Sequence, residues 1–151
     1  MKAIVALGAN LEEPQSAIEL AVALLREATD VTSVSSMYKT KPVGGPAQPD
    51  YVNAVVIIES DLPAIEFLHL LHGIEKCMGR IRAEKWGPRV IDLDLISYGS
   101  IISQSEELTL PHPRAHERRF VLEPWIEIDP QAHLITHGPV SEILQQLPPA
   151  K

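Results

Sequence analysis

Residues 90–96, VIDLDLI, alternate apolar and acidic side chains with period two, the pattern of a β-strand. Ile91, Leu93 and Leu95 share one face, while Asp92 and Asp94 share the other, between Val90 and Ile96. No other segment restricts the fold so tightly. One face must enter a core, and the opposite face must accommodate two like charges spaced about 6.6–6.8 Å along the strand. A strand edge facing water, or pairing with neighbouring arginines, would satisfy a bare Asp-x-Asp. The preceding sequence adds another solution. Positions 76–89 carry Lys76, Arg80, Arg82, Lys85 and Arg89 against the single acid Glu84, a local charge of +4 in a chain of formal net charge -7. Acids suited to divalent cations, beside arginines suited to phosphates, point to a magnesium–nucleotide site.

The elements before this strand follow from spacing. Residues 2–8 form a short strand ending at Gly8. After Pro14, Ile18, Ala21, Val22 and Leu25 repeat with helical spacing, which predicts an amphipathic helix over 14–28. Residues 31–38, rich in Val, Ser and Thr, predict a second strand, and YVNAVVIIES (51–60) a strong third one. Between them TKPVGGPAQPD (40–50) holds three prolines and two glycines, which excludes regular structure; a connection of that length in a compact domain is often functional. Ser60, Asp61 and Pro63 mark a helix start, and the stripe Phe67, Leu71, Ile74, Met78 carries the helix to Gly79. A polar stretch over 79–88, expected to be mobile, leads into VIDLDLI. The order β-α-β-β-α-β is that of a ferredoxin-like α+β sandwich with both helices on one sheet face. C-terminal additions follow from about residue 100: a hairpin, the segment PHPRAHERRFVLEPW with no assigned element, and a short helix near 141–147. That fold carries many functions and selects none.

At 151 residues the chain suits one compact domain over 1–151, and 45% hydrophobic with 22% charged residues is the composition of a globular protein. The negative net charge argues against a general nucleic-acid or membrane-surface binder. The single Cys77 rules out an internal disulfide framework and a cysteine-rich zinc site, and fits a reducing, cytoplasmic setting. MKAIVALGAN resembles a signal peptide only superficially, because its apolar run is short and NLEEP follows at once. A buried first strand is the expected reading.

The common nucleotide signatures are missing: there is no G-x-x-x-x-G-K-[ST], and no G-x-G-x-x-G follows the first strand. His112 and His116 have helical metal-ligand spacing, but Pro113 biases His112 away from the α region. His69 and His72, with Glu75 three further on, read as a partly exposed helix face rather than a metal patch. Tyr51 and Asn53 alternate onto one face of the third strand. An aromatic ring beside an amide suits a flat heterocycle, although a core tyrosine and a strand-end asparagine account for the same spacing. Residue chemistry alone thus leads to a magnesium–nucleotide enzyme with an unnamed second substrate.

Several separated motifs in this order resemble the 6-hydroxymethyl-7,8-dihydropterin pyrophosphokinase family of the folate pathway. They are ALGANL, YKTKPVGGPAQPDYVNAVV, IEKCMGRIRAEKWGPR, WGPRVIDLDLISYG and LTLPHPRAHERRFVLEPW, which together span nearly the whole chain. The resemblance implies transfer of pyrophosphate from ATP to the hydroxymethyl group of the pterin, with release of AMP. It implies two magnesium ions on Asp92 and Asp94, and phosphates held by Arg80 and Arg89, with Arg82 and Lys85 on the same loop. His72, Glu75, His112, Arg118 and the backbone around Leu95 correspond to ATP-side positions. On the pterin side, Tyr51 and Phe120 would sandwich the ring, Asn53 would bond its edge, and backbone at Thr40, Lys41 and Val43 would complete the pocket, with Trp86 closing over it. The resemblance also places Asp92 on the pterin side.

Phosphoryl transfer leaves little covalent work to the protein, so positioning and charge neutralisation would dominate, with both loops acting as lids. No residue stands out as general base. The chain departs from the family pattern at His72, where glutamine occurs, at Pro113, where tyrosine occurs, and at Glu107, where arginine occurs; its second loop is one residue shorter. The partners implied are ATP and the reduced pterin, bound by a monomer. Two alternatives use the same acids: a metal-dependent phosphohydrolase that passes the group to water, and a non-catalytic ferredoxin-like module that binds a nucleotide.

Overall fold

The computed structural model describes residues 1–10, 13–41, 50–81 and 91–148, apart from the side chains of Arg80 and Ile81. Strand β1 (Lys2–Ala9) is followed by helix α1 (Pro14–Ala28), β2 (Asp30–Val34), β3 (Tyr38–Thr40), β4 (Tyr51–Glu59), α2 (Ala64–Ile81) and β5 (Asp92–Tyr98). The hairpin β6 (Ser103–Gln104) and β7 (Thr109–Leu110) comes next, then a 3-10 turn (Ala115–Glu117) and α3 (Arg119–Ile128). A second hairpin, β8 (His133–Leu134) and β9 (Gly138–Pro139), precedes α4 (Val140–Gln146). The main sheet runs β2-β4-β1-β5, with β3 also pairing β4, and every pairing in it is antiparallel.

Both faces of this sheet are covered, which explains why β1 and β4 read as nearly unbroken apolar runs. Val5 and Leu7 of β1, Val52, Val56 and Ile58 of β4, and Ile91, Leu93 and Leu95 point toward α1 and α2. The predicted stripes meet them: Ile18, Ala21 and Leu25 from α1, and Phe67, Leu71, Ile74 and Met78 from α2. Phe67 packs edge-on against Tyr98, with ring centroids 5.3 Å apart, and the Tyr98 hydroxyl donates to the Leu62 carbonyl at 2.6 Å. The opposite face, Ile4, Ala6, Val55, Ile57 and Ile96, receives Val121, Leu122 and Trp125 from α3 and Val140 from the start of α4. Each such large side chain contributes about 1.5–3 kcal/mol on burial. Among the described residues no helix is long and apolar enough to cross a membrane.

The structure changes three expectations. The second strand is not continuous: it stops at Val34 and resumes at Tyr38. At the break, Ser35 N–H donates to the Val55 carbonyl while Val55 N–H donates to Ser35 Oγ, both at 2.9 Å. A hydroxyl has replaced a ladder carbonyl, so the strand turns without orphaning a buried amide. Helix α2 runs past Gly79 to Ile81, so the expected loop over 79–88 starts later, and its remainder lies outside the described residues, as does most of the Gly/Pro loop. PHPRAHERRFVLEPW, to which the sequence assigns no element, carries α3 in its second half despite Pro124 inside the helix. Pro124 lacks only its own N–H and is itself buried with Trp125 on the core side.

In β5 the alternation holds from Ile91 to Leu95. A bulge then inserts one extra residue opposite Ile4 and Val5 of β1. Alternation itself carries Ile96 to the α3 core, on the face of Asp92 and Asp94; the bulge reverses the parity beyond it, so Tyr98 rejoins the α1–α2 core.

Candidate active site

The sheet face under α3 is divided along its length. Toward one end it is core, formed by Ile4, Val55, Ile57 and Ile96. Toward the other end the same alternating positions become Gly8 in β1, Tyr51 and Asn53 in β4, and Asp92 and Asp94 in β5, and these line a cavity of about 530 Å³. The two acids therefore belong to neither core. They occupy the stretch of the strand where α3 no longer covers the sheet. Thr40 and Lys41 from the end of β3, and Arg114, Glu117, Arg118 and Phe120 from the turn into α3, complete the walls.

The cross-strand register sets the floor. Gly8 pairs with Asn53 on one side and with Asp92 on the other, and Ala6 pairs with Val55 and Asp94. On this face the middle strand thus presents only the Ala6 methyl group and the side-chain-free Gly8 beside the acidic wall, with Asn53 opposite Gly8. A Cβ added at Gly8 would lie 3.1 Å from Asn53 Oδ1. Asn53 itself is oriented by Nδ2 donating to Thr40 Oγ1 at 2.6 Å, which leaves Oδ1 over the floor as an acceptor. Phe120 stands in the first turn of α3, with the Arg118 guanidinium carbon 5.6 Å from its ring centroid. Arg118 also lies 3.9 Å from Asp94, a partly exposed pair in which both groups remain reachable by a ligand.

Other sequence-selected residues stand around this cavity rather than in its lining. Glu75, near the end of α2, accepts the Leu93 N–H at 2.8 Å and so holds β5, an edge strand, between the two acids. Leu95 is buried, paired with Val5 in the ladder. His112 is anchored by its N–H to the Ile96 carbonyl at 2.9 Å, and its Nδ1 accepts the Arg114 N–H at 3.2 Å. His72 is exposed on α2, one turn beyond His69, whose ring pairs with Glu107 of the β6–β7 hairpin. Val43, Arg82, Lys85, Trp86 and Arg89, and the side chain of Arg80, lie outside the described residues. Five lining positions escape the sequence reading: Ala6, Leu7, Gly8, Arg114 and Glu117. Their only signal is small-residue spacing in ALGAN and the three-residue interval between Arg114 and Glu117, which the 3-10 turn places on one side.

Burial holds the His112 imidazole below the usual histidine pKa; the Asp94 charge opposes this, and Arg118 and Arg114 reinforce it. The neutral ring is therefore favoured in the folded state. Its contribution to stability is complete above the unfolded pKa of about 6.5 and declines as pH falls from there through the folded value. Replacing His112 with Gln should flatten the stability profile as pH falls below about 6.5, as measured by urea unfolding without divalent cations. An unchanged slope would remove His112 as its source.

Two carboxylates on one strand face are hard oxygen donors, suited to magnesium, which takes one or two protein carboxylates and completes its shell with water and phosphate oxygens. The donor set fits that ion.

The family model for 7,8-dihydro-6-hydroxymethylpterin-pyrophosphokinase (HPPK) matches residues 4–130. The 2-amino-4-hydroxy-6-hydroxymethyldihydropteridine pyrophosphokinase of Haemophilus influenzae is 40% identical over 146 residues, covering 95% of this chain and 91% of the relative. The Bacillus subtilis protein of that name is 43% identical over 128 residues, covering 83% and 77%. Among solved structures, Plasmodium falciparum HPPK-DHPS superposes with a TM-score of 0.67 at 12% identity, covering 96% of this chain and 43% of that one, a likeness of fold. With the family match spanning both walls of the cavity, the chain belongs to the 7,8-dihydro-6-hydroxymethylpterin-pyrophosphokinase family.

Proposed function

We propose that this protein transfers pyrophosphate from ATP to the hydroxymethyl group of 6-hydroxymethyl-7,8-dihydropterin, yielding AMP and the pterin diphosphate for folate biosynthesis. The observation that carries this reading is the cavity in which an aromatic–amide wall faces a two-carboxylate wall across the side-chain-free floor at Gly8. Tyr51 and Phe120 offer ring faces to a flat heterocycle, and Asn53 Oδ1 accepts from its N–H edge. Asp92 and Asp94 would hold two magnesium ions, which when bound supply charge neutralisation on the triphosphate. The chain's own share is positioning. The heterocycle wall orients the acceptor hydroxyl toward the β-phosphorus, from which AMP departs in line. Arg118 balances the charge beside Asp94. Arg80, Arg82, Lys85 and Arg89 are assigned to the phosphates, Val43 and Trp86 to the pterin, and His72, Glu75, Leu95 and His112 to the nucleotide side, all on family resemblance.

The sheet order β2-β4-β1-β5 supports a ferredoxin-like sandwich in which β2 and β3 together fill one strand position, within a single domain over 1–151. The charge of -7 and the single cysteine support a cytoplasmic monomer acting on small molecules rather than on nucleic acid or membrane.

The test is product analysis. Incubation with ATP, magnesium and the reduced pterin should yield AMP and pterin diphosphate in equal amounts. Orthophosphate released whether or not pterin is present would overturn the reading in favour of a phosphohydrolase, and binding without products would overturn it in favour of a non-catalytic module.

A further inference from the structure

Glu127 lies outside the cavity, near the C-terminal end of α3, where the helix dipole disfavours a negative charge. Three donors compensate it. Ser36 N–H reaches Oε2 at 2.9 Å, and Ser36 Oγ and the Tyr38 hydroxyl both reach Oε1 at 2.6 Å. Hydrogen bonds to an ionised acceptor are the stronger kind. They hold the Glu127 carboxyl below its usual pKa and push the Tyr38 hydroxyl up.

The clamp joins two pieces of the cavity that would otherwise be set independently. On the strand side, β3 is only three residues long and follows the break at residues 35–37. Tyr38 pairs with Asn53 and Thr40 with Tyr51, so displacement at Tyr38 passes directly into the Thr40–Asn53 hydrogen bond. On the helix side, Phe120 and Glu127 are seven residues apart, about two turns, and therefore share one side of α3. Fixing Glu127 on β3 fixes how far the Phe120 ring stands from the strand wall.

We propose that Glu127 is a positioning residue for the pterin: by binding Ser36 and Tyr38 it sets the separation between Phe120 on α3 and the Thr40–Asn53 wall. This inference rests on reading the cavity as the pterin site. The clamp is exposed, so its effect is moderate rather than all-or-none.

The experiment measures pterin and non-hydrolysable ATP-analogue affinities separately by calorimetry, for wild type, Glu127→Ala, Glu127→Gln and Tyr38→Phe. Glu127→Ala should weaken pterin binding about fivefold and Tyr38→Phe about two- to threefold, with analogue affinity within about twofold of wild type. Glu127→Gln keeps an acceptor oxygen without its charge and should fall between wild type and Glu127→Ala. Unchanged pterin affinity in both Glu127→Ala and Tyr38→Phe would overturn the positioning role alone. Pterin and analogue affinities falling together with melting temperature would overturn it in favour of a general structural role. A wild-type protein that binds no pterin would overturn the functional reading and this inference with it.

Discussion

Asp92→Ala should lower pyrophosphate transfer by about a thousandfold or more, while the protein still folds. The two halves of this result have one origin. Asp92 and Asp94 share a strand face outside both core clusters and line the cavity, so the substitution removes no core side chain. The substitution removes half of the carboxylate pair that the proposed function assigns to magnesium. AMP formation in single turnover measures the first effect, and thermal unfolding with and without magnesium measures the second. Magnesium should raise the melting temperature of wild type and leave that of Asp92→Ala nearly unchanged. Full activity in Asp92→Ala would remove this residue from the mechanism.

The second large effect is expected at a position with no side chain. Gly8→Val should weaken pterin binding by about 30-fold or more, with ATP-analogue affinity within about twofold. The backbone at residue 8 is ordinary strand, which valine tolerates, so the effect comes from volume. The new Cβ stands 3.1 Å from Asn53 Oδ1, and the two methyl groups beyond it enter the cavity between Asn53 and Asp92. Asn53 cannot retreat without breaking its 2.6 Å bond to Thr40. Calorimetric titration reads the change. A Gly8→Val protein with wild-type pterin affinity would show that the heterocycle does not lie over this floor.

Legibility in the sequence followed the range of the interactions involved. Helix α1 and the stripe of α2 are local patterns, and Ile18, Leu25, Phe67, Leu71 and Met78 stand in the core as their spacing predicts. Asp92 and Asp94 were readable because a charge on an apolar strand is conspicuous. The break between β2 and β3 was not, because nothing local interrupts a run of Val, Ser and Thr. The strand ends there through contacts with Val55 and Glu127, 20 and 91 residues away. Helix α3 was hidden by Pro124, whose cost is offset by packing that periodicity does not reveal. Gly8 and Ala6 matter by what they leave empty, and an empty place becomes visible only once neighbouring strands are in register. Arg114 and Glu117 reach the cavity through a single 3-10 turn, too short to leave a periodic trace.

The row Asn53–Gly8–Asp92 runs straight across three hydrogen-bonded strands. Adjacent strands in a sheet are about 4.7–4.9 Å apart, so amide and acid are held roughly 9–10 Å from each other by backbone pairing alone. On the proposed placement of the pterin, the sheet is a ruler, graduated in strand spacings, between the ring edge at Asn53 and the hydroxyl near Asp92. A pterin whose hydroxyl hangs on a longer arm would still satisfy Asn53 and would overshoot Asp92. On that placement, a preference for a one-carbon arm would follow from the strand pairing that spaces Asn53 and Asp92.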